Sequence, residues 1–224
     1  MSITGRNVFI TGSTGYMARA LIPELLSRGH HVRGLVRPGS ESKLVPGCEP
    51  VVGNALDAGS YSSQIAPCDT FVQLVGVAHP SPAKAAQFRS VDLVAGKEAV
   101  RAAAQAGIKH FIYLSVAHPA PMMKAYIEVR SDCEAAIAQA GLNATILRPW
   151  YVLGPGHRWP YLLIPMYWLF EKVPATRDGA RRLGLVTLEQ MKWALVNAVE
   201  HPQEGVGIVE VPEIKRARRV SQMR

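Results

Sequence analysis

Three side chains near the middle of the chain could move a proton on a small molecule: Ser115, Tyr126 and Arg130. Tyr126 and Arg130 are four positions apart, so a helix through them would place both on one face. A positive charge beside a phenol favours the phenolate, and a tyrosine held in this way can serve as a proton donor. Ser115 directly follows an apolar run, 111–114, and could hold a substrate carbonyl. The trio predicts acid–base chemistry at the carboxyl edge of a sheet.

A glycine-containing loop near the start of the chain has the form that binds the pyrophosphate of a dinucleotide. Gly12 permits a tight turn, Gly15 permits close approach of a phosphate, and Ala18 permits close packing of the following helix. The spacing is Gly-x-x-Gly-x-x-Ala, and glycine turns between strands and helices are common, so the flanking strand and helix carry the prediction. The residues expected around the phosphates are Gly12, Ser13, Thr14, Gly15, Tyr16 and Met17.

The end of the second predicted strand bears on the choice of dinucleotide. No Asp or Glu lies between Gly29 and Ser40, where an acidic residue would bind a free ribose 2′-hydroxyl, and Arg37 stands there instead. A guanidinium suits a 2′-phosphate, which predicts NADP over NAD. The alternative is an ordinary exposed arginine.

Two further loops are candidates for cofactor contacts. Asn54, Ala55 and Leu56 follow the third predicted strand and could contact adenine; alternatively they form a simple turn in which Asp57 caps the next helix. Val75 and Gly76 end the fourth strand, where a glycine would admit the ribose or pyrophosphate.

Short apolar runs alternate with amphipathic segments, which predicts a parallel sheet joined by right-handed βαβ crossovers. The predicted strands are 7–11, 31–36, 50–52, 70–75, 109–114, 144–147 and 207–211, and the predicted helices are 16–28, 82–106, 122–140 and 188–200. The predicted fold class is α/β, a doubly wound, Rossmann-like parallel sheet with a small C-terminal cap. Residues 1–150 would form the NAD(P)-binding core, 151–213 a cap on the substrate side, and 214–224 a mobile basic tail.

With these motifs, the chain resembles the short-chain dehydrogenase/reductase superfamily, in the atypical, extended-like branch that includes NmrA-like and NAD-dependent epimerase-like proteins. The resemblance covers nearly all of the chain and rests on residues 11–16, Arg37, 53–57, 111–115 and 145–149. It implies a Rossmann-like sheet, a nicotinamide cofactor whose ring is held by Pro149, and a Ser/Tyr/Lys catalytic set. The family's lysine is Arg130 here, and its adenine-loop aspartate is Asn54.

Two functions remain open from these residues. The first is an NADP-dependent oxidoreductase acting on a small carbonyl or alcohol, with Tyr126 as proton donor, Ser115 orienting the substrate and Arg130 holding cofactor and phenolate. Arginine keeps the charge of lysine, but its wider fork cannot relay a proton. The second function is therefore a regulator or assembly subunit that binds NADP(H) without turning it over. Glu134 could form a helical ion pair with Arg130.

The charge distribution and the cysteine content limit the classes of partner that we expect for this chain. The net charge is +8, but five positive charges lie in residues 214–224 and the rest of the chain carries only +3. With no motif that reads nucleic acid, binding to DNA or RNA is not expected. The three cysteines lack metal-ligand spacing, which predicts no metal site and reduced thiols in the cytoplasm. No segment approaches the roughly 20 apolar residues of a membrane helix.

An aromatic concentration follows Pro149 and predicts an apolar pocket wall, with a plain core or a dimer surface as the alternatives. Its members are Trp150, Tyr151, Trp159, Tyr161, Tyr167 and Trp168. We expect a modest, partly apolar substrate and a monomer or homodimer.

Overall fold

Seven parallel strands of the described chain form one central sheet. The structure, a computed structural model, describes residues 5–120, 122–155 and 182–222. In sheet order the strands are β3 (Glu49–Val52), β2 (His31–Val36), β1 (Asn7–Thr11), β4 (Thr70–Gln73), β5 (His110–Leu114), β6 (Ala144–Arg148) and β9 (Val206–Glu210). The strand order reverses between β1 and β4, and sheets of this kind bind ligands at the carboxyl edge beside that point. The predicted Rossmann-like α/β fold is confirmed.

Helices cover both faces of the sheet. Among the described residues the α-helices are α1 (Tyr16–Ser27), α2 (Ala85–Gln87), α3 (Val94–Gln105), α4 (Lys124–Gln139), α5 (Leu188–Glu200) and α6 (Val211–Gln222). On β1, Val8 and Ile10 pack into the apolar cluster under α1, α5 and α6, while Phe9 packs into the cluster under α3 and α4. Both faces of the strand are buried, which explains its uninterrupted apolar sequence. In the described part of the chain, no helix has the length and apolar character needed to cross a membrane.

The helix predicted over 82–106 is present, but its first half is not a regular α-helix. A single helical turn (Pro82–Lys84) and α2 lead into a π-helical segment, Phe88–Leu93, before the regular helix α3 begins. Phe88 and Asp92 are both buried in this segment. Hydrophobic periodicity does not reveal a change in helical pitch, and such segments often occur at functional sites.

The C-terminal third differs most from its prediction. β9 pairs with β6 as the seventh strand of the core sheet, and α5 packs against α1. These two elements therefore lie in the core, although the sequence assigned them to the cap. β7 (Tyr151–Leu153) and β8 (Leu185–Thr187) form a separate parallel pair. Residues 156–181, most of the predicted cap, lie outside the described residues, and the domain division stays a prediction there.

The basic C-terminal segment was predicted to be mobile, and this is wrong for its described part. The segment belongs to α6, in which Val211 and Ile214 have no exposed surface and pack in the cluster shared with α1 and α5. Burying these two side chains supplies apolar stabilisation that a free tail would lack. Two apolar residues among many basic ones are not enough to predict a buried helix from the sequence.

His110 makes the stability of the fold depend on pH. Its Nε2 lies 3.0 Å from Thr145 Oγ1, and burial lowers its pKa to about 4. The folded-state pKa lies below the unfolded value, so the unfolded chain takes up the proton first as the pH falls. The contribution of neutral His110 to the free energy of unfolding is fully present above about pH 6.5 and is lost as the pH falls towards 4. This contribution amounts to about 3 kcal/mol.

We therefore expect His110→Gln to flatten the fall in unfolding free energy between pH 7 and pH 4 by about that amount. The measurement is denaturant unfolding at several pH values. His31→Gln, at an exposed histidine of the same sheet, serves as the control and should follow the wild type. An identical pH dependence in wild type and His110→Gln would contradict the assignment.

Candidate active site

The loop between β1 and α1 forms the floor of a groove at the carboxyl edge of the sheet. Gly12 has a φ of +68°, and a Cβ there would come within 2.9 Å of the backbone carbon of Leu74. The Gly15 N–H donates to the Gly12 carbonyl at 2.9 Å, and α1 begins at the next residue, Tyr16. The N-cap residue of this helix is Gly15, which makes no side-chain cap bond, and the positive end of the helix dipole lies at this loop. A tight turn at a helix N-terminus fits a pyrophosphate.

The groove has a volume of about 440 Å³ and runs across the point where the strand order reverses. The predicted cofactor residues that line it are Gly12, Thr14, Gly15, Arg37, Asn54, Ala55, Leu56, Val75 and Gly76. Ser13 and Met17 do not line it. The Ser13 hydroxyl donates to the Leu35 carbonyl at 2.7 Å, and Met17 packs against the apolar cluster under α1. Position in the loop did not reveal which side chains turn inward.

Arg37 is exposed and lines the groove together with the loop that follows β3. The Asn54 Oδ1 accepts a hydrogen bond from the Leu56 N–H at 3.1 Å, and the Asp57 carboxylate accepts one from the Gly59 N–H at 3.0 Å. The turn with an Asp57 cap is therefore present, and Asn54, Ala55 and Leu56 still line the groove. The two interpretations of this loop are compatible.

Next to the groove lies a pocket of about 190 Å³. The predicted catalytic residues Ser115, Tyr126 and Arg130 all line it, together with Pro149 and the aromatic pair Trp150 and Tyr151. Leu74 lines both the pocket and the groove, so the two are adjacent. Tyr16 lies at the pocket. The other predicted aromatic residues of the pocket wall, at positions 159, 161, 167 and 168, lie outside the described residues.

Arg130 is held by a buried ion pair. Its guanidinium is 2.6 Å from Asp92 Oδ1, and it also donates to the Leu114 carbonyl at 2.9 Å. The sequence allowed an ion pair with Glu134, but the observed partner comes from the π-helical segment. Burial lowers the pKa of Arg130, but Tyr113, Tyr126 and Asp92 together raise it above its ordinary value, so the side chain is charged.

Tyr126 lies directly over this charge. The guanidinium carbon of Arg130 is 5.0 Å from the centre of the Tyr126 ring, and the ring of Phe88 packs on it at 4.8 Å. The spacing of the two residues on α4 therefore does bring them together, as the sequence predicts. The aromatic contact fixes the plane of the ring at the pocket wall.

Ser115 belongs to a second polar network. Its hydroxyl donates to Glu134 Oε1 at 2.5 Å, and the same carboxylate forms an ion pair with the guanidinium of Arg148. The His118 ring lies 3.5 Å from Glu134. Because a carboxylate only accepts hydrogen bonds, the proton of Ser115 is directed at Glu134, and its lone pairs remain for another donor.

Comparison with known proteins identifies the family. The model of the NAD(P)H-binding family matches residues 12–158, about two-thirds of the chain. The protein is a member of this family. The match includes the groove, the pocket and both polar networks, and it agrees with the resemblance to atypical short-chain dehydrogenases/reductases.

The curated relatives differ in the activity or role that their names give. The chain is 24% identical over 168 residues to 4-hydroxy-2-methyl-3-oxo-4-farnesyl-3,4-dihydroquinoline-1-oxide ketoreductase of Stigmatella aurantiaca, covering 65% of this chain and 50% of that protein. It is 27% identical over 147 residues to photosystem II assembly factor Ycf39 of Synechocystis, covering 63% and 43%. The chain thus spans about half the length of these curated relatives.

A solved structure shows the same fold. The Bordetella bronchiseptica enzyme WbmH, in complex with NAD⁺, superposes with a TM-score of 0.68 at 21% sequence identity, covering 92% of this chain and 75% of that chain. At this identity the similarity concerns the fold alone.

Within this candidate site, the sequence did not reveal Asp92 and Arg148, and it offered Glu134 the wrong partner. Asp92 lies 38 positions before its partner Arg130, and Arg148 lies 14 positions after Glu134. The sequence held one signal for Asp92, an acidic residue on an otherwise apolar helix face. Such a residue is expected to be buried, and buried carboxylates are almost always paired. Among the described residues, no group of His, Cys, Asp and Glu side chains could hold a metal ion.

Proposed function

We propose that this NAD(P)H-binding protein is an NADP-dependent oxidoreductase of the atypical short-chain type that acts on a small carbonyl compound or the corresponding alcohol. One observation carries the proposal: the groove adjoins the pocket where Tyr126 lies over the charged Arg130. The glycines fit a dinucleotide groove, because a Cβ at Gly12 would collide with the backbone of Leu74 and a Cβ at Gly76 with the side chain of Arg130, so only glycine allows the backbone to follow this course. A dinucleotide with its 2′-phosphate at Arg37 would cross Gly76 and end beside Tyr126.

The chemistry divides between the cofactor and the chain. The nicotinamide supplies a hydride to the carbonyl carbon when NADPH is bound. Tyr126 gives the phenol proton to the carbonyl oxygen, and the charge of Arg130 stabilises the phenolate that remains. Pro149, at the end of β6, closes the side of the pocket where the ring would lie.

Ser115 would act as a hydrogen-bond acceptor in this scheme. Its proton is directed at Glu134, so its oxygen can accept from a substrate hydroxyl and orient the alcohol. The pocket volume of about 190 Å³ and the neighbouring Trp150 favour a compact, partly apolar substrate. The sequence assigned Ser115 to the carbonyl; the network favours the alcohol.

The test is an assay of NADPH oxidation with a panel of small aliphatic and aromatic ketones and aldehydes, and of NADP⁺ reduction with the matching alcohols. We expect turnover of at least one compact apolar pair. Binding of NADPH without turnover across the panel in both directions would contradict an oxidoreductase.

The preference for NADP gives a separate prediction. We expect Arg37→Ala to raise the dissociation constant of NADPH about tenfold and to leave that of NADH unchanged, since one charge-assisted contact to the 2′-phosphate is lost. Fluorescence titration measures both constants. Lys109→Ala removes the same charge from an exposed site just before β5, at the opposite edge of the sheet, and should change neither. Equal changes for NADPH and NADH would argue against a 2′-phosphate contact.

A second candidate is a regulator or assembly subunit that binds NADP(H) without turnover. It is favoured by the two networks, in which Ser115 is engaged by Glu134 and Arg130 by Asp92. One curated relative, Ycf39, is named as an assembly factor. Affinity capture with and without NADPH distinguishes this function: a partner recovered only with cofactor supports it, and rapid reduction of a panel compound excludes it.

We also propose that the protein works in the cytoplasm as a monomer or homodimer, with a small-molecule ligand. Cys48, Cys68 and Cys133 are free and buried, which suits a reducing compartment. Light scattering after size-exclusion chromatography tests the oligomeric state.

A further inference from the structure

Asp92 is a buried carboxylate that joins two parts of the cofactor site. It is 1% exposed and lies in the π-helical segment before α3. Its Oδ1 accepts from the Arg130 guanidinium at 2.6 Å, and its Oδ2 accepts from the backbone N–H of Val77 at 3.1 Å. One carboxylate thus links α4 to the turn that follows β4.

That turn rests on the ion pair. A Cβ on Gly76 would lie 2.5 Å from the terminal nitrogen of Arg130 and 3.1 Å from Asp92 Oδ1, so only glycine allows the backbone this close to the pair. Gly76 and Val75 line the groove on the side opposite to the pair. The height of the groove floor at this point is therefore set by Asp92 and Arg130.

Arg130 itself is anchored from several directions. It donates to the Leu114 carbonyl at the end of β5 and approaches the Tyr113 hydroxyl at 3.3 Å. With these contacts and Asp92, its terminal nitrogens are already engaged within the protein. A lysine ammonium could not make this fork of contacts from one point.

We infer that Asp92 and Arg130 are a positioning pair that holds the turn 75–77 for the nicotinamide half of the dinucleotide. The pair acts through the backbone, because Asp92 fixes the Val77 N–H and both side chains support Gly76. A buried ion pair adds little net stability compared with apolar side chains of similar volume, so its main effect is on the geometry of this turn. The inference rests on dinucleotide binding, the property of the family, and extends the proposed role of Arg130.

The test compares a whole dinucleotide with half of one. NADPH spans the groove, whereas 2′,5′-ADP occupies only the end near Arg37 and Asn54, away from Gly76. We expect Asp92→Asn to weaken NADPH binding about tenfold, the size of one charge-assisted hydrogen bond, and to leave 2′,5′-ADP within about twofold of wild type. Isothermal titration calorimetry measures both ligands.

A double variant separates positioning from folding. Asp92→Asn alone leaves a buried unpaired charge that could unfold the protein, whereas Arg130→Met with Asp92→Asn removes both charges and keeps an unbranched side chain. We expect the double variant to melt near the wild-type temperature and still bind NADPH about tenfold more weakly, with 2′,5′-ADP unaffected. Wild-type NADPH affinity in the double variant would overturn the inference.

Glu200→Gln is the matched control. It removes a carboxylate that pairs with Arg28 at 2.5 Å, in the helical layer on the other face of the sheet. Its binding of both ligands should equal that of wild type. A parallel loss of NADPH and 2′,5′-ADP binding in the double variant would show a general loss of structure and overturn the inference. Since both readouts are binding constants, the outcome does not depend on whether the protein turns its cofactor over.

Discussion

Replacing Tyr126 with phenylalanine is expected to lower kcat by about a hundredfold or more while leaving the dissociation constant of NADPH unchanged. The hydroxyl is the proposed proton source, whereas the ring, which packs on Phe88 and lies over Arg130, is retained in the variant. Steady-state kinetics with the best substrate of the panel, together with a fluorescence titration of NADPH, provide the two readouts.

Tyr61→Phe is the control for loss of a tyrosine hydroxyl. Tyr61 is fully buried in the cluster under α3, and its hydroxyl has no hydrogen-bond partner among the described residues. Turnover should be the same as in wild type. If Tyr126→Phe kept full activity, a different proton source would be required, and the proposed mechanism would be wrong.

Gly12→Ala is expected to weaken NADPH binding about a hundredfold, because the loop must shift away from β4 and carry its N–H groups with it. The φ of +68° disfavours any side chain, and the new Cβ would lie 2.9–3.0 Å from backbone atoms of Leu74 and Val75. These backbone atoms belong to the other wall of the groove and cannot move independently of it. We expect a loss of unfolding free energy of about 2–4 kcal/mol.

Gly29→Ala separates strain from collision. Gly29 has a φ of +83°, but a Cβ there would meet no atom within 4 Å. This variant should lose only about 1–2 kcal/mol of stability and bind NADPH as the wild type does. Denaturant unfolding and NADPH titration of the two variants side by side provide the comparison. Equal cofactor affinities would show that the loop tolerates displacement.

The tight glycine loop between β1 and α1 and the core strands could be predicted because their signals are local. Gly12 and Gly15 follow an apolar strand and precede a helix, and each of these preferences acts within a few residues of the chain. The same holds for Tyr126 and Arg130, which one turn of α4 brings together. The change of helical pitch within 82–106 could not be predicted, because it leaves the apolar spacing nearly intact.

The partners of the charged residues could not be predicted in this way. Arg130 had an acidic residue at a suitable helical spacing, Glu134, yet it pairs with Asp92. Glu134 pairs instead with Arg148 and accepts a hydrogen bond from the Ser115 hydroxyl. A buried charge pairs with the opposite charge that lies nearest to it in space. The distance between two such charges depends on how α3, α4 and β6 pack.

By itself the sequence determined that this chain folds as a Rossmann-like α/β protein, and it predicted a glycine loop, Arg37 and a Tyr-x-x-x-Arg motif as parts of the proposed dinucleotide site. The tertiary structure decided which side chains face the groove, that Ser13 and Met17 do not, and that the C-terminal strand and helix complete the core. It also decided the partners of Ser115 and Arg130. Backbone preferences depend on neighbouring residues and can therefore be predicted from the sequence. Burial and charge pairing involve residues far apart in the chain and arise only once the helices have packed on the sheet.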